Sequence, residues 1–194
     1  MSEDFNWLIF GSSSPEPKFF GSRFNIGAAV LDLVAEGRGE FRDSGPISSA
    51  LIEIGGRSVR LVKPNVVPEM VDDCLLLAKA KFLHTIGSVV VIYGDPDHGA
   101  GTVKLKRTGG SNGNRVVTNL LRYFDPNVVR IRVGMGRLPK IQRDWLDVSE
   151  KTGKYVLEGI AVAAEAVESL VRDGYGKTVD HVAKANKGKS FIGG

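Results

Sequence analysis

Residues 88–93, Ser-Val-Val-Val-Ile-Tyr, constrain the fold more than any other part of the chain. Four consecutive β-branched residues favour a strand, and an apolar run without polar alternation is typical of a strand buried on both faces. The next residues, 94–101, are rich in the residues that form turns. The segment therefore predicts a central strand in a sheet that is covered on both sides.

Strand and helix patterns alternate along the rest of the chain. Strands are predicted at residues 7–10, 102–107 and 128–133, and a hairpin is predicted at residues 50–54 and 58–62 around Gly55-Gly56. Helices are predicted at residues 25–37, 69–83, 115–124, 155–172 and 177–185. This alternation predicts a single three-layer α/β/α domain over residues 1–186, with a mixed, mostly parallel central sheet and a mobile tail at 187–194.

The composition of the 194-residue chain restricts the cellular compartments in which we expect it. The single cysteine, Cys74, excludes an internal disulfide and fits a reducing compartment. No apolar run approaches the roughly 20 residues of a membrane-spanning helix, and residues 1–6 lack the basic region of a secretory or transit peptide. We expect a monomer without a membrane partner, in the cytoplasm or, if a transit peptide has been removed, in the mitochondrial matrix.

The positive charge is concentrated in one segment. Ten of the 26 basic residues but only one of the 22 acidic residues lie in residues 101–143, so this segment has a net charge of +9 and the rest of the chain −5. A polyanion such as nucleic acid is the natural partner of such a segment, although a solvated surface would have the same composition.

Six stretches, in order, resemble the signatures of the bacterial-type peptidyl-tRNA hydrolase family. They are Gly11 to Pro15 after the first strand, Ser22-Arg-Phe-Asn-Ile-Gly27, Leu61-Val-Lys-Pro64, Val89 to Asp97, Val103-Lys-Leu-Lys106 with Gly109-Gly-Ser-Asn-Gly113, and Arg130-Ile-Arg-Val-Gly-Met-Gly-Arg137. The resemblance runs from about residue 7 to residue 184 and implies the fold of that family.

The resemblance also implies a reaction. The family cleaves the ester that joins a peptide to the 3′ end of tRNA, using a histidine, oriented by an aspartate, to activate water. A general base of this kind needs no covalent enzyme intermediate. We expect neither a cofactor nor a metal in this chain.

This chain departs from the family at the reacting groups. The position of the catalytic histidine falls on Phe24, and that of the orienting aspartate falls on Gly94. Among the substrate-binding positions, the family's asparagines and loop tyrosine fall on Ser14, Phe19 and Glu69, whereas Asn25 and Asn112 are retained. Because phenylalanine cannot accept a proton, we expect standard hydrolysis to be weak or lost.

His98 offers an alternative base. It follows the strand at residues 88–93, at the sheet edge where α/β proteins place their sites, and Asp95 and Asp97 stand beside it. Asp95 is also one position from Gly94 and is a possible substitute for the missing aspartate. The histidine and two acids resemble metal ligands as well, but three such closely spaced positions rarely supply a site without help from elsewhere.

The basic positions of the family are kept. The resemblance assigns tRNA contacts to Lys104, Lys106, Arg130, Arg132, Arg137, Lys140 and Arg143. Phosphate contacts require charge and supply most of the sequence-independent affinity for RNA. We therefore expect a degenerate homologue that binds tRNA or another structured RNA. The alternatives are an active peptidyl-tRNA hydrolase or aminoacyl-tRNA acyl transferase rebuilt around His98, and an assembly factor of a ribonucleoprotein particle.

Overall fold

The computed structural model describes residues 7–17, 25–82, 87–111, 115–124, 128–136 and 150–187. Its strands are β1 (Trp7–Gly11), β2 (Arg42–Ser44), β3 (Ile47–Ile54), β4 (Arg57–Pro64), β5 (Ser88–Asp95), β6 (Val103–Lys106) and β7 (Val129–Gly134). Its α-helices are α1 (Ile26–Ala35), α2 (Val71–Phe82), α3 (Arg115–Tyr123), α4 (Glu150–Asp173) and α5 (Tyr175–Asn186), with a 3-10 turn at Pro68–Met70 before α2.

The described strands form one seven-stranded sheet in the order β2-β3-β4-β1-β5-β7-β6. Strand β1 pairs in parallel with β4 and β5, and β5 pairs in parallel with β7. The pairs β2-β3, β3-β4 and β6-β7 are antiparallel. Five strands therefore run in one direction and two oppose them, which confirms the mixed, mostly parallel sheet.

Two hydrophobic layers cover the sheet. Ile9, Val90 and Ile92 project to the side on which α1, α4 and α5 pack. Phe10, Val91 and Tyr93 project to the other side, on which α2 and α3 pack. This alternation along β1 and β5 confirms the three-layer arrangement and the burial of β5 on both faces.

The hairpin between β3 and β4 turns at Gly55 and Gly56. Their φ angles are +59° and +76°, which are values that side-chain-bearing residues rarely adopt. Two successive positive φ angles match the turn that best fits the right-handed twist of paired strands. The predicted hairpin is confirmed, with each strand three residues longer than expected.

In the described residues, no helix combines the length and the apolar character that a bilayer crossing needs.

Candidate functional site

The carboxyl ends of β1, β4, β5 and β7 meet at one edge of the sheet. Ser14 follows β1, Glu69 follows β4 in the 3-10 turn, and Asp95 is the last residue of β5. The structure therefore brings these sequence-predicted residues to the same edge. Ser14 is buried, whereas Glu69 is exposed.

The loop after β1 is tied to the start of α1 and to β5. The amide of Ser12 donates to the Ile92 carbonyl (2.9 Å), and the amide of Ala28 donates to the Ser12 carbonyl (2.9 Å). The Asn25 Oδ1 accepts a 2.6 Å bond from the Ser14 amide. Asn25 thus fixes the loop that carries Ser14.

Two glycines allow this close approach. A Cβ on Gly27 would lie 2.1 Å from the Ser12 nitrogen and 2.3 Å from the Ile92 oxygen, and a Cβ on Gly11 would lie 2.4 Å from the Gly27 oxygen. These atoms belong to the backbone and cannot give way as a side chain can. The glycines in the two family-like stretches therefore seat the first turn of α1 against the ends of β1 and β5.

The position that the resemblance assigns to the orienting aspartate, Gly94, lies opposite Val133 in the β5-β7 ladder. Residues two apart on a strand share a face, so position 94 belongs to the face of Ile92, on which α1 packs. Gly94 supplies no carboxylate there. Phe24, Phe19 and Asn112 lie outside the described residues.

Asp95 belongs to the other face of the sheet, with Tyr93. Its Oδ2 accepts a 2.9 Å bond from Arg132 Nη1, and its Oδ1 accepts a 2.9 Å bond from the Asp97 amide. The Asp95 side chain is 3% exposed. The expectation that Asp95 substitutes for a carboxylate at position 94 does not fit this geometry, because a shift of one residue along a strand reverses the face.

His98 lies at the predicted edge of the sheet, on the same face as Asp95 and not on the face of Gly94. Its Nε2 is 3.8 Å from Asp95 Oδ2, and its side chain is 19% exposed. Burial lowers the pKa of His98, the Asp95 carboxylate opposes that shift, and Lys104 and Arg132 add to it. The imidazole is therefore mostly neutral at pH 7.

Among the described residues, the other histidines and the cysteine do not form a second candidate catalytic or metal site. Of the other histidines, His181 lies in α5, where its Nε2 is 3.1 Å from Glu165 Oε2, and His84 lies outside the described residues. Within the described part of the chain, no three His, Cys, Asp or Glu side chains converge as metal ligands. Cys74 is fully buried, and burial raises the pKa of its thiol to about 12.

Four of the predicted RNA-contact residues share one face. In the β6-β7 ladder Lys104 pairs with Arg132 and Lys106 pairs with Arg130. Arg132 is also opposite Tyr93 of β5, so all four residues belong to the face on which α2 and α3 pack. Lys104 is exposed and Lys106 is half-buried. Arg137, Lys140 and Arg143 lie outside the described residues.

Arg130 is hydrogen-bonded to the backbone of the loop that follows β6. It is 1% exposed, and its Nη1 donates to the carbonyls of Thr108, Gly109 and Gly110 at 3.3, 2.6 and 3.1 Å. A guanidinium so engaged supports the glycine-rich loop that leads to α3. A direct RNA contact by Arg130 stays a prediction, and this supporting role, which depends on contacts distant in sequence, was missed.

The family model and the curated relatives that match this sequence belong to one family. The family model described as Peptidyl-tRNA hydrolase matches residues 8–190. A peptidyl-tRNA hydrolase of Frankia casuarinae is 30% identical over 180 residues, with 87% of this chain and 89% of that protein covered. One of Streptomyces avermitilis is 28% identical over 183 residues, covering 87% of this chain and 89% of that protein.

A solved structure is similar over nearly the whole chain. The crystal structure of peptidyl-tRNA hydrolase from Acinetobacter baumannii matches with a TM-score of 0.79 and 19% identity, covering 94% of this chain and 95% of that one. At this identity the match concerns the fold, and it supports the three-layer arrangement described above.

Proposed function

The chain belongs to the peptidyl-tRNA hydrolase family, and we propose that it binds tRNA or another structured RNA while its hydrolysis of the peptidyl-tRNA ester is weak or lost. The binding half of this proposal rests on the cationic face of β6 and β7. The catalytic half, that hydrolysis is weak or lost, rests on Phe24 and Gly94, which occupy the positions of the family's base and its orienting carboxylate.

The observation that carries the catalytic half is the division of Gly94 and Asp95 between two faces of the sheet. The position with the family's carboxylate has no side chain, and the neighbouring carboxylate is engaged by Arg132 on the opposite face. Phe24, at the position of the family's base, has no group that can take up a proton. Loss of a general base costs about 10²–10⁴-fold in rate.

The same geometry argues against a site rebuilt around His98. Asp95 Oδ2, the oxygen that would orient His98, already accepts a 2.9 Å bond from Arg132 Nη1, and His98 Nε2 is 3.8 Å from it. The positive charge of Arg132 therefore reduces the support that this carboxylate could give to a protonated imidazole. A peptidyl-tRNA hydrolase activity that disappears in His98→Ala would favour the rebuilt site over our proposal.

The binding half follows from charge and exposure. Lys104 and Lys106 present their side chains beside the supporting guanidinium groups of Arg130 and Arg132. We assign direct phosphate contacts to the two lysines, and to Arg137, Lys140 and Arg143 of the following segment. In this assignment Arg130 supports the loop and the charge of Arg132 is partly compensated by Asp95.

A salt titration of tRNA binding tests this assignment. The logarithm of the association constant should fall linearly with the logarithm of salt concentration, and Lys104→Gln should reduce the slope by about 1. Arg42→Gln is the matched control, because Arg42 is exposed on β2, at the opposite edge of the sheet from β6. Binding that is absent, insensitive to salt, or weakened equally by both variants would overturn the proposal.

A further inference from the structure

A single carboxylate oxygen faces two basic groups at the carboxyl edge. Asp95 Oδ2 is 2.9 Å from Arg132 Nη1 and 3.8 Å from His98 Nε2. The other oxygen, Oδ1, is held by the Asp97 amide. We propose that Arg132, Asp95 and His98 form a proton-linked switch: when His98 is protonated it binds Asp95 and leaves the charge of Arg132 available to an RNA phosphate. This inference rests on the proposed RNA binding and adds regulation to it.

The imidazole is poised for such a contact. His98 Nε2 is a buried atom, and it has no hydrogen-bond partner among the described residues. The backbone around it is fixed, because the His98 carbonyl accepts a 2.8 Å bond from the Gly136 amide. A protonated imidazole would place a donor beside the Asp95 carboxylate, and a small movement would shorten 3.8 Å to hydrogen-bond distance.

Protonation changes the charge of the three groups. With neutral His98 the negative charge of Asp95 compensates the positive charge of Arg132. With protonated His98 the same carboxylate is shared between two cations, and the three groups carry one net positive charge. Because Lys104 pairs with Arg132 in the β6-β7 ladder, that added charge lies beside the proposed phosphate contacts.

The groups around His98 determine whether RNA binding favours or opposes the protonation of its ring. Burial favours the neutral ring, as do the charges of Lys104 in β6 and Arg132 in β7, whereas the Asp95 carboxylate at the end of β5 and a hydrogen bond to the backbone of Asp97 favour the protonated ring. The buried Tyr93 side chain is exposed to the charges of the same Asp95 and Arg132, and burial keeps its pKa above the usual value. A phosphate bound at Lys104, beside Arg132, would offset the positive charges that oppose protonation and raise the pKa of His98. By linkage, RNA binding takes up a proton and tightens as pH falls.

The first test measures tRNA affinity at about pH 6 and about pH 8 at constant ionic strength, in the full chain and in His98→Gln. One linked proton changes affinity by at most about tenfold per pH unit. We expect the wild type to bind about three- to tenfold more tightly at the lower pH and His98→Gln to lose most of that difference. An equal pH dependence in both proteins would overturn the switch and leave the proposed function standing. Failure to bind tRNA at either pH would instead overturn the proposed function.

The second test does not depend on RNA. It measures the pKa of His98 by NMR in chloride and in sulfate at equal ionic strength, with sulfate as a non-titrating stand-in for phosphate. We expect sulfate to raise the pKa in the wild type and to have a much smaller effect in Arg132→Gln. A His98 pKa that is the same in both salts would overturn the switch, whether or not tRNA binds.

Discussion

Arg132 Nη1 donates a 2.9 Å hydrogen bond to Asp95 Oδ2, and this ion pair joins β7 to β5 at the carboxyl edge of the sheet. The two side chains are only 10% and 3% exposed. The pair lies on the face that carries Lys104 and Lys106, away from the face of Gly94. One contact thus both supports the cationic face and removes Asp95 from the place of a catalytic carboxylate.

Asp95→Asn should destabilise the protein strongly. The substitution keeps the size of the side chain and an acceptor for the Asp97 amide, but it leaves the Arg132 charge buried and unpaired. Breaking a buried ion pair in this way costs about 3–5 kcal/mol. The free energy of unfolding in urea measures the loss.

Asp97→Asn is the control for that measurement. The side chain of Asp97 is exposed, and its backbone amide, which binds Asp95, is unchanged. We expect the control to remain within about 0.5 kcal/mol of wild type. Equal and small effects of the two substitutions would mean that the ion pair does not stabilise the fold.

Gly27→Ala should be damaging although the residue is in a helix, where alanine is normally preferred. The added Cβ would overlap the Ser12 nitrogen and the Ile92 oxygen, so α1 has to move away from β1 and β5. We expect a loss of at least about 2 kcal/mol, within the range for overpacking. Thermal unfolding monitored by circular dichroism measures it.

Gly176→Ala, in α5, is the matched control for Gly27→Ala. Nothing lies within 4 Å of the Cβ that it would add. Alanine should therefore stabilise this helix by up to about 1 kcal/mol. Similar effects at both positions would show that the close approach at Gly27 is not what requires glycine there.

The sequence predicted most of the fold because the core elements carry strong patterns. The apolar run in β5, the helical spacing in α1 and the glycine pair between β3 and β4 each have one favourable structure. Strand β2 was missed, since its three residues are all exposed and lack an alternating pattern. Helix α4 begins at Glu150, earlier than predicted, since Lys151-Thr-Gly-Lys154 carries no apolar periodicity.

The site was predicted less completely. The strand at residues 88–93 was expected to end at Tyr93, but β5 continues to Asp95, and only this extension assigns Gly94 and Asp95 to opposite faces. The burial of Arg130 was not predicted, because arginine is normally exposed and its carbonyl partners lie about 20 residues away. Both omissions concern contacts between elements, which local patterns do not encode.

Cys74 should be unreactive in the folded protein. Its pKa of about 12 leaves about one thiolate in 10⁴ at pH 8, and α2 packs the side chain against the sheet. We expect a thiol reagent at pH 8 to modify the native chain only as fast as the chain unfolds, and the denatured chain at once. Rapid modification of the native protein would contradict the burial of α2.

His98 should make stability depend on pH. Its folded pKa is below the unfolded value of 6.5, so the unfolded chain binds more protons at this group as pH falls. The contribution of neutral His98 is therefore complete above pH 6.5 and is lost as pH falls through the folded pKa. Urea unfolding in chloride buffers from about pH 5 to about pH 8 measures this dependence.

His98→Gln separates this contribution from other titrating groups. Glutamine does not titrate, so the difference in unfolding free energy between wild type and variant should become less favourable to the wild type as pH falls below 6.5. A difference that is constant across this range would contradict a lowered pKa at His98.

Hydrolysis of peptidyl-tRNA by the purified chain, measured with protein in excess over substrate, is the sharpest test of whether the ester-cleaving activity is weak or lost. We predict that the wild type binds peptidyl-tRNA but releases little or no peptide, and that Phe24→His/Gly94→Asp, which restores both family groups, releases more. Rapid release by the wild type would contradict this prediction, because it would show that this family member catalyses the reaction without a base at position 24.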